Sequence, residues 1–173
     1  MSNFVSETSL KTLASSFILS RLDYCNALFK NLPKYQINNL QKLQNHAARV
    51  IFRKSVRDHA MPLLMDLHWL PVTARIDYKI ALVVYKCLNN LSPSYMSELI
   101  TKYIPSRTLR SNNSNLIVTK TAKYKTLGDR AFSVNASDVW NSLPLELKNS
   151  PSINIFKQNL KTYLFRKHFS EYF

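Results

Sequence analysis

From Ile76 to Leu91 the apolar residues recur at steps of three and four: Ile76, Ile80, Val83, Val84, Cys87, Leu88 and Leu91. A helix turns once every 3.6 residues, so this spacing gathers them on one face. Arg75, Asp77, Lys79 and Lys86 fall on the other face. Pro71 suits a first helical turn, where its missing N–H has no intrahelical partner to lose. Trp69 and Leu70 stand just before it and are expected to pack against the helix start. Such a stretch commits the chain to a helical core with an aromatic plug, and the remaining segments must be built around it.

The same spacing returns along most of the chain. Over 9–30, Leu10, Leu13, Phe17, Leu22, Cys25, Leu28 and Phe29 predict a first helix, closed by Asn31-Leu32-Pro33 because proline disfavours helical geometry in the residue before it. From Tyr35 to Phe52, Ile37, Leu40, Leu43, Ala47, Val50 and Ile51 form a stripe, while Asn38, Gln41, Lys42, Asn45, Arg49 and Arg53 form a wet, basic face. The short connection predicts antiparallel packing of these two helices. A short helix over Pro62–Leu67 leads into the central one. Ser92-Pro93 and Ser150-Pro151 read as cap-plus-proline helix starts, and Phe132, Ala136, Val139, Trp140 and Leu143 restore the helical spacing after Arg130. In the last helix Ile153, Phe156, Leu160, Tyr163 and Leu164 face inward, with Lys157, Lys161, Arg166 and Lys167 outside. The expected fold is mainly α: a compact bundle of about six helices in a single domain over 9–167. N-terminal helices occupy 9–104 and C-terminal helices 129–167. The connection 105–128 is irregular and basic, and its β-branched run Leu116–Thr119 leaves room for one short strand.

Charge narrows the partners. Lys and Arg number 24 against 10 Asp and Glu, a net of +14. A surplus of that size favours polyanions. It is densest between Lys102 and Arg130, where Lys102, Arg107, Arg110, Lys120, Lys123, Lys125 and Arg130 meet one acid, Asp129. Tyr103, Tyr124, Phe132 and Trp140 bracket this segment. Aromatics among cations can stack bases while the cations hold phosphates. Phe132 and Trp140 are better read as core, and Tyr103 and Tyr124 stay open. No run approaches the length of a membrane span. Cys25 and Cys87 lie in apolar helical patterns without a metal-type spacing, which predicts buried free thiols and a reducing, intracellular setting, nuclear or cytoplasmic.

Gly128 is the single glycine of 173 residues. Phosphate-cradling loops need several glycines, so Walker-type and Rossmann-type nucleotide sites are ruled against. Low glycine also suits helices joined by turns that need little positive φ. The acids are dispersed: no Asp-Asp or Asp-x-Asp pair is present to hold the two metals of a polymerase or nuclease. His46, His59, His68 and His168 show no ligand spacing, and His68 beside Trp69 reads as a core or edge histidine. No serine or cysteine has a nucleophile-elbow setting. The expectation is no cofactor, no metal and no catalysis by this chain alone.

Several ordered motifs carry a resemblance. Arg21-Leu-Asp-Tyr-Cys-Asn26, Leu40-Gln-Lys-Leu-Gln-Asn-His-Ala-Ala-Arg49 and Leu67-His-Trp-Leu-Pro-Val72 come first. Tyr85-Lys-Cys-Leu-Asn89, Ser92-Pro-Ser-Tyr95, Gly128-Asp-Arg-Ala-Phe132 and Trp140-Asn-Ser-Leu-Pro144 follow. Together they resemble the C-terminal part of the reverse transcriptase of non-LTR (LINE-type, jockey-like) retrotransposons, over nearly the whole chain. The sequence departs from that pattern at Asn89-Asn90, where Asn-Gly is expected, and at Asn135-Ala-Ser137. The resemblance implies a thumb-like helical extension that follows fingers and palm, with the catalytic Asp-Asp motif upstream of the region this sequence matches. It implies contact with template–primer nucleic acid, RNA or an RNA–DNA or DNA duplex, and with the upstream polymerase palm. The nucleic-acid-binding residues expected are Lys42, Arg49, Arg53, Lys102, Arg107, Arg110, Lys120, Lys123, Lys125 and Arg130. A second reading is a helical protein–protein module or an inactive truncated fragment. Its apolar patch would lie on the first helix, at Phe17, Ile18, Phe29 and Leu32.

Overall fold

The computed structural model describes residues 5–105, 115–124 and 128–172. The fold is mainly helical. The helices are α1 (Glu7–Ala14), α2 (Ser20–Asp23), α3 (Lys34–Ile51), α4 (Ala60–Asp66), α5 (Val72–Leu88), α6 (Ser94–Ser97), α7 (Phe132–Asn141), α8 (Leu145–Lys148) and α9 (Ile153–His168). The chain groups into two compact units, one of residues 1–76 with 165–173 and one of residues 77–164.

In the first unit α1 runs through a π-helical segment, Ser15–Leu19, directly into α2. The helical path stops at Tyr24, and Cys25 takes a left-handed φ of 49°. The helix expected over 9–30 is thus broken before its end, with a 3-10 turn at Asn26–Phe29. Cys25 is exposed, whereas Cys87 is buried as expected. Arg53, beyond the C-terminal end of α3, donates to the carbonyl of Val5 at 3.0 Å, just before α1 begins, so the two helices run antiparallel. Leu19, Leu22, Ala48, Ile51, Leu64, Trp69 and Phe169 form the core. The inner face of α3 is rotated from the expected stripe: Gln44, Ala47, Ala48 and Ile51 are buried, while Leu43 and Val50 are 48% and 61% exposed. Gln44 is tolerated there because its Nε2 donates to the Leu70 carbonyl at 2.9 Å and its Oε1 accepts from Gln41 at 3.0 Å. Gln41 Oε1 in turn accepts the N–H of Val72 at 2.8 Å, one of the orphan donors at the start of α5. Arg75 does not join the wet face. It is half-buried, its Nη1 donating to both Asp23 carboxylate oxygens at 2.9 and 2.7 Å and its Nε to Leu70 O at 2.9 Å.

The left-handed positions replace the absent glycines. Low glycine content predicts few residues of positive φ, yet Cys25, Asn31, Arg53, His68, Asn90 and Asn115 all have it. Three of them close helices. After α3, Arg53 N–H reaches Val50 O and Lys54 N–H reaches Arg49 O; after α4, His68 N–H reaches Met65 O and Trp69 N–H reaches Leu64 O. After α5, Leu91 N–H reaches Lys86 O across Asn90. These are Schellman closures, which consume the orphan carbonyls of a last turn and which glycine ordinarily supplies. His68 is therefore an edge residue, exposed and stacked on Phe165 at 5.8 Å.

In the second unit Tyr85 stacks on Phe156 at 4.3 Å, Trp140 leans on the same ring at 6.0 Å, and Tyr85 Oη donates to Ser150 O at 2.7 Å. Trp140, Phe156 and Leu160 have no exposed surface, and Leu91, expected on the inner stripe, is exposed. The helix starts fall slightly later than expected. Pro93, not Ser92, precedes α6, and Ser92 Oγ instead meets Ser97 Oγ at 3.0 Å. Ser150 Oγ donates back to Leu147 O at 2.8 Å, and the α9 start is served by Ser152, whose Oγ accepts from Ile155 N–H at 3.4 Å. The β-branched run holds a single antiparallel bridge, Lys102 with Ile117. It is closed by Tyr103 N–H to Leu116 O at 2.9 Å and Val118 N–H to Thr101 O at 2.8 Å. The other edge of Ile117 is held by a side chain: Asn141 Oδ1 accepts its N–H at 3.1 Å and Asn141 Nδ2 donates to its carbonyl at 3.0 Å. One residue thus has both edges paired without a sheet.

Candidate nucleic-acid interface

The expected binding residues fall in both units. In the first, Lys42 is exposed on α3, and Arg49 lies in its last turn. Arg49 Nε donates to the carbonyl of Asp58 at 2.9 Å. The Asp58 carboxylate is engaged elsewhere, accepting the Ser55 N–H at 2.7 Å. Arg53 donates to the Val5 carbonyl. In each case a main-chain oxygen orients the guanidinium and leaves its full charge in place. A carboxylate partner would have cancelled that charge, as Asp23 does for Arg75.

In the second unit Lys102 sits on the bridge and is exposed. Lys120 Nζ donates to the carbonyl of Leu99 at 2.9 Å, so the segment after the bridge is tied back beside the segment before it. Lys123 is exposed, its Nζ 5.9 Å from the ring centre of Tyr124, within reach of a weak cation–π contact. Tyr124 and Tyr103 are 69% and 49% exposed, so neither belongs to the core. Trp140 is core, and Phe132 is half-buried at the start of α7. Arg130 is half-buried, and its Nε lacks a hydrogen-bond partner among the described residues. Arg107, Arg110 and Lys125 lie outside the described residues.

Gly128 owes its identity to close approach. A Cβ there would stand 2.5 Å from the Ala122 Cβ, nearer than side-chain carbons come, while the backbone at Gly128 does not need positive φ. The contact holds the chain just beyond Lys120 against the start of the 3-10 turn Gly128–Arg130 that leads into α7.

Two features escaped the sequence reading. Lys148, at the end of α8, is buried; its Nζ donates to Asn141 O at 3.2 Å, and burial pushes its pKa below the ordinary lysine value. It belongs to the packing that holds Asn141, not to the outer charge. The second is a pocket of about 380 Å³ where Phe29, Leu32 and Ile37 make an apolar floor and Lys30 and Lys34 stand at the rim. Phe29 and Leu32, expected in an exposed apolar patch on the first helix, line it, while Asn31-Leu32-Pro33 reads as a helix end. Among the described residues no group of three or more His, Cys, Asp or Glu side chains is placed to hold a metal ion. Among the same residues no helix is long and apolar enough to cross a membrane. Comparison with family models, curated proteins and solved structures gives no match.

Proposed function

We propose that this chain is a non-catalytic nucleic-acid-binding helical domain, similar to the C-terminal part of a non-LTR retrotransposon reverse transcriptase and separate from the palm that would carry polymerase carboxylates. The observation behind the reading is the way its cations are held. Arg49, Arg53 and Lys120 are anchored by carbonyl oxygens, so their charges are positioned without being neutralised. Fixed donors suit phosphates, because each ordered side chain loses less conformational freedom on binding. Exposed Tyr103 and Tyr124 beside Lys102 and Lys123 offer stacking surfaces next to phosphate donors. The sequence contains no paired carboxylates for two-metal chemistry, so the role is to hold template and primer, with the chemistry supplied by a palm.

The test is binding of a short RNA–DNA hybrid, followed by fluorescence anisotropy at one fixed salt concentration. Reversing Lys102, Lys120 and Lys123 to Glu together is expected to weaken binding by about tenfold or more, with the helical circular-dichroism signal unchanged. Unchanged affinity in that folded variant overturns the proposal. A charge-reversed set at Lys79, Lys157 and Lys161 serves as the comparison and is expected to matter less.

A further inference from the structure

Between α1 with its π-helical continuation and α3 runs an open apolar groove of about 330 Å³, walled by Leu13, Phe17 and Ile18 on one side and Leu43, Ala47 and Val50 on the other. Four of these side chains are large and unusually exposed: Leu13 47%, Phe17 67%, Leu43 48% and Val50 61%. The π segment helps create the exposure. One wider turn shifts the register of the helix at Ser15–Leu19, and Ser16 and Ser20 bond back to the carbonyls of Thr12 and Ser16. Phe17 therefore stands out of the core while Leu19, two residues on, enters it.

We infer that this groove is a docking site for an acidic amphipathic helix of a partner protein. Volume alone would admit any apolar segment; the charge at the rim selects among them. Lys42 and Arg49 each precede a groove residue, Leu43 and Val50, by one position, which sets them about 100° further round α3, along one edge of the groove. His46 lies between them on the groove wall, and Arg53 closes one end, where it reaches Val5. The edge contributed by α3 is thus a row of cations without an acid, since α3 contains none. A helix with apolar residues at i, i+3, i+4 and i+7 and Asp or Glu beside them matches both features. A second copy of this chain does not. Two molecules of net +14 repel, and the long helices α3, α5 and α9 are each net basic. Helix docking shares the rim cations Lys42, Arg49 and Arg53 with the proposed phosphate donors, but its apolar walls are its own, so the two readings can fail separately.

The experiment titrates the full chain with a labelled synthetic helix-forming peptide carrying Leu and Phe at those four positions and Glu on both flanks. Two controls have the same composition scrambled, or Lys in place of Glu. The expected result is binding of the acidic peptide at least about tenfold tighter than either control. The double variant Phe17→Ala/Val50→Ala is expected to lose about tenfold or more of peptide affinity while leaving hybrid-duplex affinity unchanged; both sites are exposed, so the fold is retained. Equal binding of the scrambled or Lys-flanked peptide, or a double variant that binds as the parent does, overturns the inference. So does concentration-dependent dimerisation of the chain abolished by the same double variant, because the occupant is then a second copy. Loss of peptide and duplex binding together in the double variant also counts against it, because the groove then belongs to the nucleic-acid surface.

Discussion

Arg53 and Asn90 share a left-handed backbone, φ 53° and 56°, and differ in how well they tolerate it. A residue with a long Cβ-bearing side chain is disfavoured there by roughly 1–2 kcal/mol, whereas asparagine is a common substitute for glycine. Glycine also loses more backbone entropy on folding, which returns about half of the gain. Set against the loss of the Arg53 bond to Val5 O, Arg53→Gly is therefore expected to raise the unfolding free energy by no more than about 0.5 kcal/mol, and Asn90→Gly to leave it nearly unchanged. Urea melts of the two variants check this, and the reverse order would contradict it. Arg53→Gly should at the same time weaken duplex binding, separating the stability of the site from its charge. Lys148 supports a second residue-scale prediction. Burial lowers its pKa in the folded state, so between that depressed value and the ordinary lysine range the unfolded chain binds more protons than the folded one. Stability contributed through Lys148 thus rises with pH across that window, and at neutral pH the folded protein carries the full penalty of a buried ammonium. Lys148→Met removes the penalty at neutral pH and has less to remove at alkaline pH. The stability difference between variant and parent should shift in favour of the parent as pH is raised from about 7 towards about 10, the ordinary lysine range. Tyr78, whose pKa burial raises, opposes the alkaline gain in both proteins alike and cancels in the difference. A difference that stays constant with pH would show that Lys148 is hydrated in the folded state.

Helix α3 shows what can and cannot be read at the level of an element. Its extent was legible from the spacing of Ile37, Leu40, Ala47 and Ile51, because burial of a stripe is what stabilises a helix in a protein. Its rotation was not. Gln44 carries two hydrogen-bonding groups and by residue type belongs outside; it is buried because Leu70 O and Gln41 meet it, the former from a distant segment, and no local rule encodes that meeting. Leu43 and Val50 are left outside by the same rotation, so the α3 wall of the groove was hidden, whereas Phe17 and Ile18 on the facing wall were expected in an apolar patch. The cationic residues were legible by type, but their anchors are backbone carbonyls at Val5, Asp58 and Leu99, which have no sequence signature. The pairing of Lys102 with Ile117 was half legible, since Leu116–Thr119 is β-branched, but Asn141 supplies the second edge that makes one bridge sufficient. The Gln41 and Gln44 pair has a measurable consequence. Gln41→Leu orphans the buried N–H of Val72 at the start of α5 and is expected to cost about 1–2 kcal/mol, like the loss of a helix cap. Gln44→Leu should cost less, because Leu70 O keeps its bond from Arg75 and Gln41 Nε2 keeps Asn45. Chemical denaturation of both variants decides the order. If Gln44→Leu proves the more damaging, the buried amide and not the cap is what fixes the register of α3.

For the whole molecule the decisive quantity is how many of its cations meet phosphates at once. The net charge of +14 guarantees some attraction to any polyanion, so weak binding at low salt would establish little. Salt dependence is more informative, because each phosphate neutralised releases condensed counterions and adds about −0.9 to the slope of log affinity against log salt on a duplex. Diffuse attraction by a charged surface and contact by positioned residues differ in what happens when a few residues are removed. With about five phosphates contacted, the slope is expected near −4 to −5. Replacing Lys102, Lys120 and Lys123 by Gln should then flatten it by about one for each phosphate no longer neutralised. Replacing Lys42, Arg49 and Arg53 by Gln tests the other compact unit in the same way. If both replacements flatten the slope, both units engage the duplex; if one does, that unit carries the interface. If neither does, while affinity falls only in proportion to net charge, the carbonyl-anchored cations are not a phosphate-binding constellation, and the nucleic-acid reading of this chain fails with them.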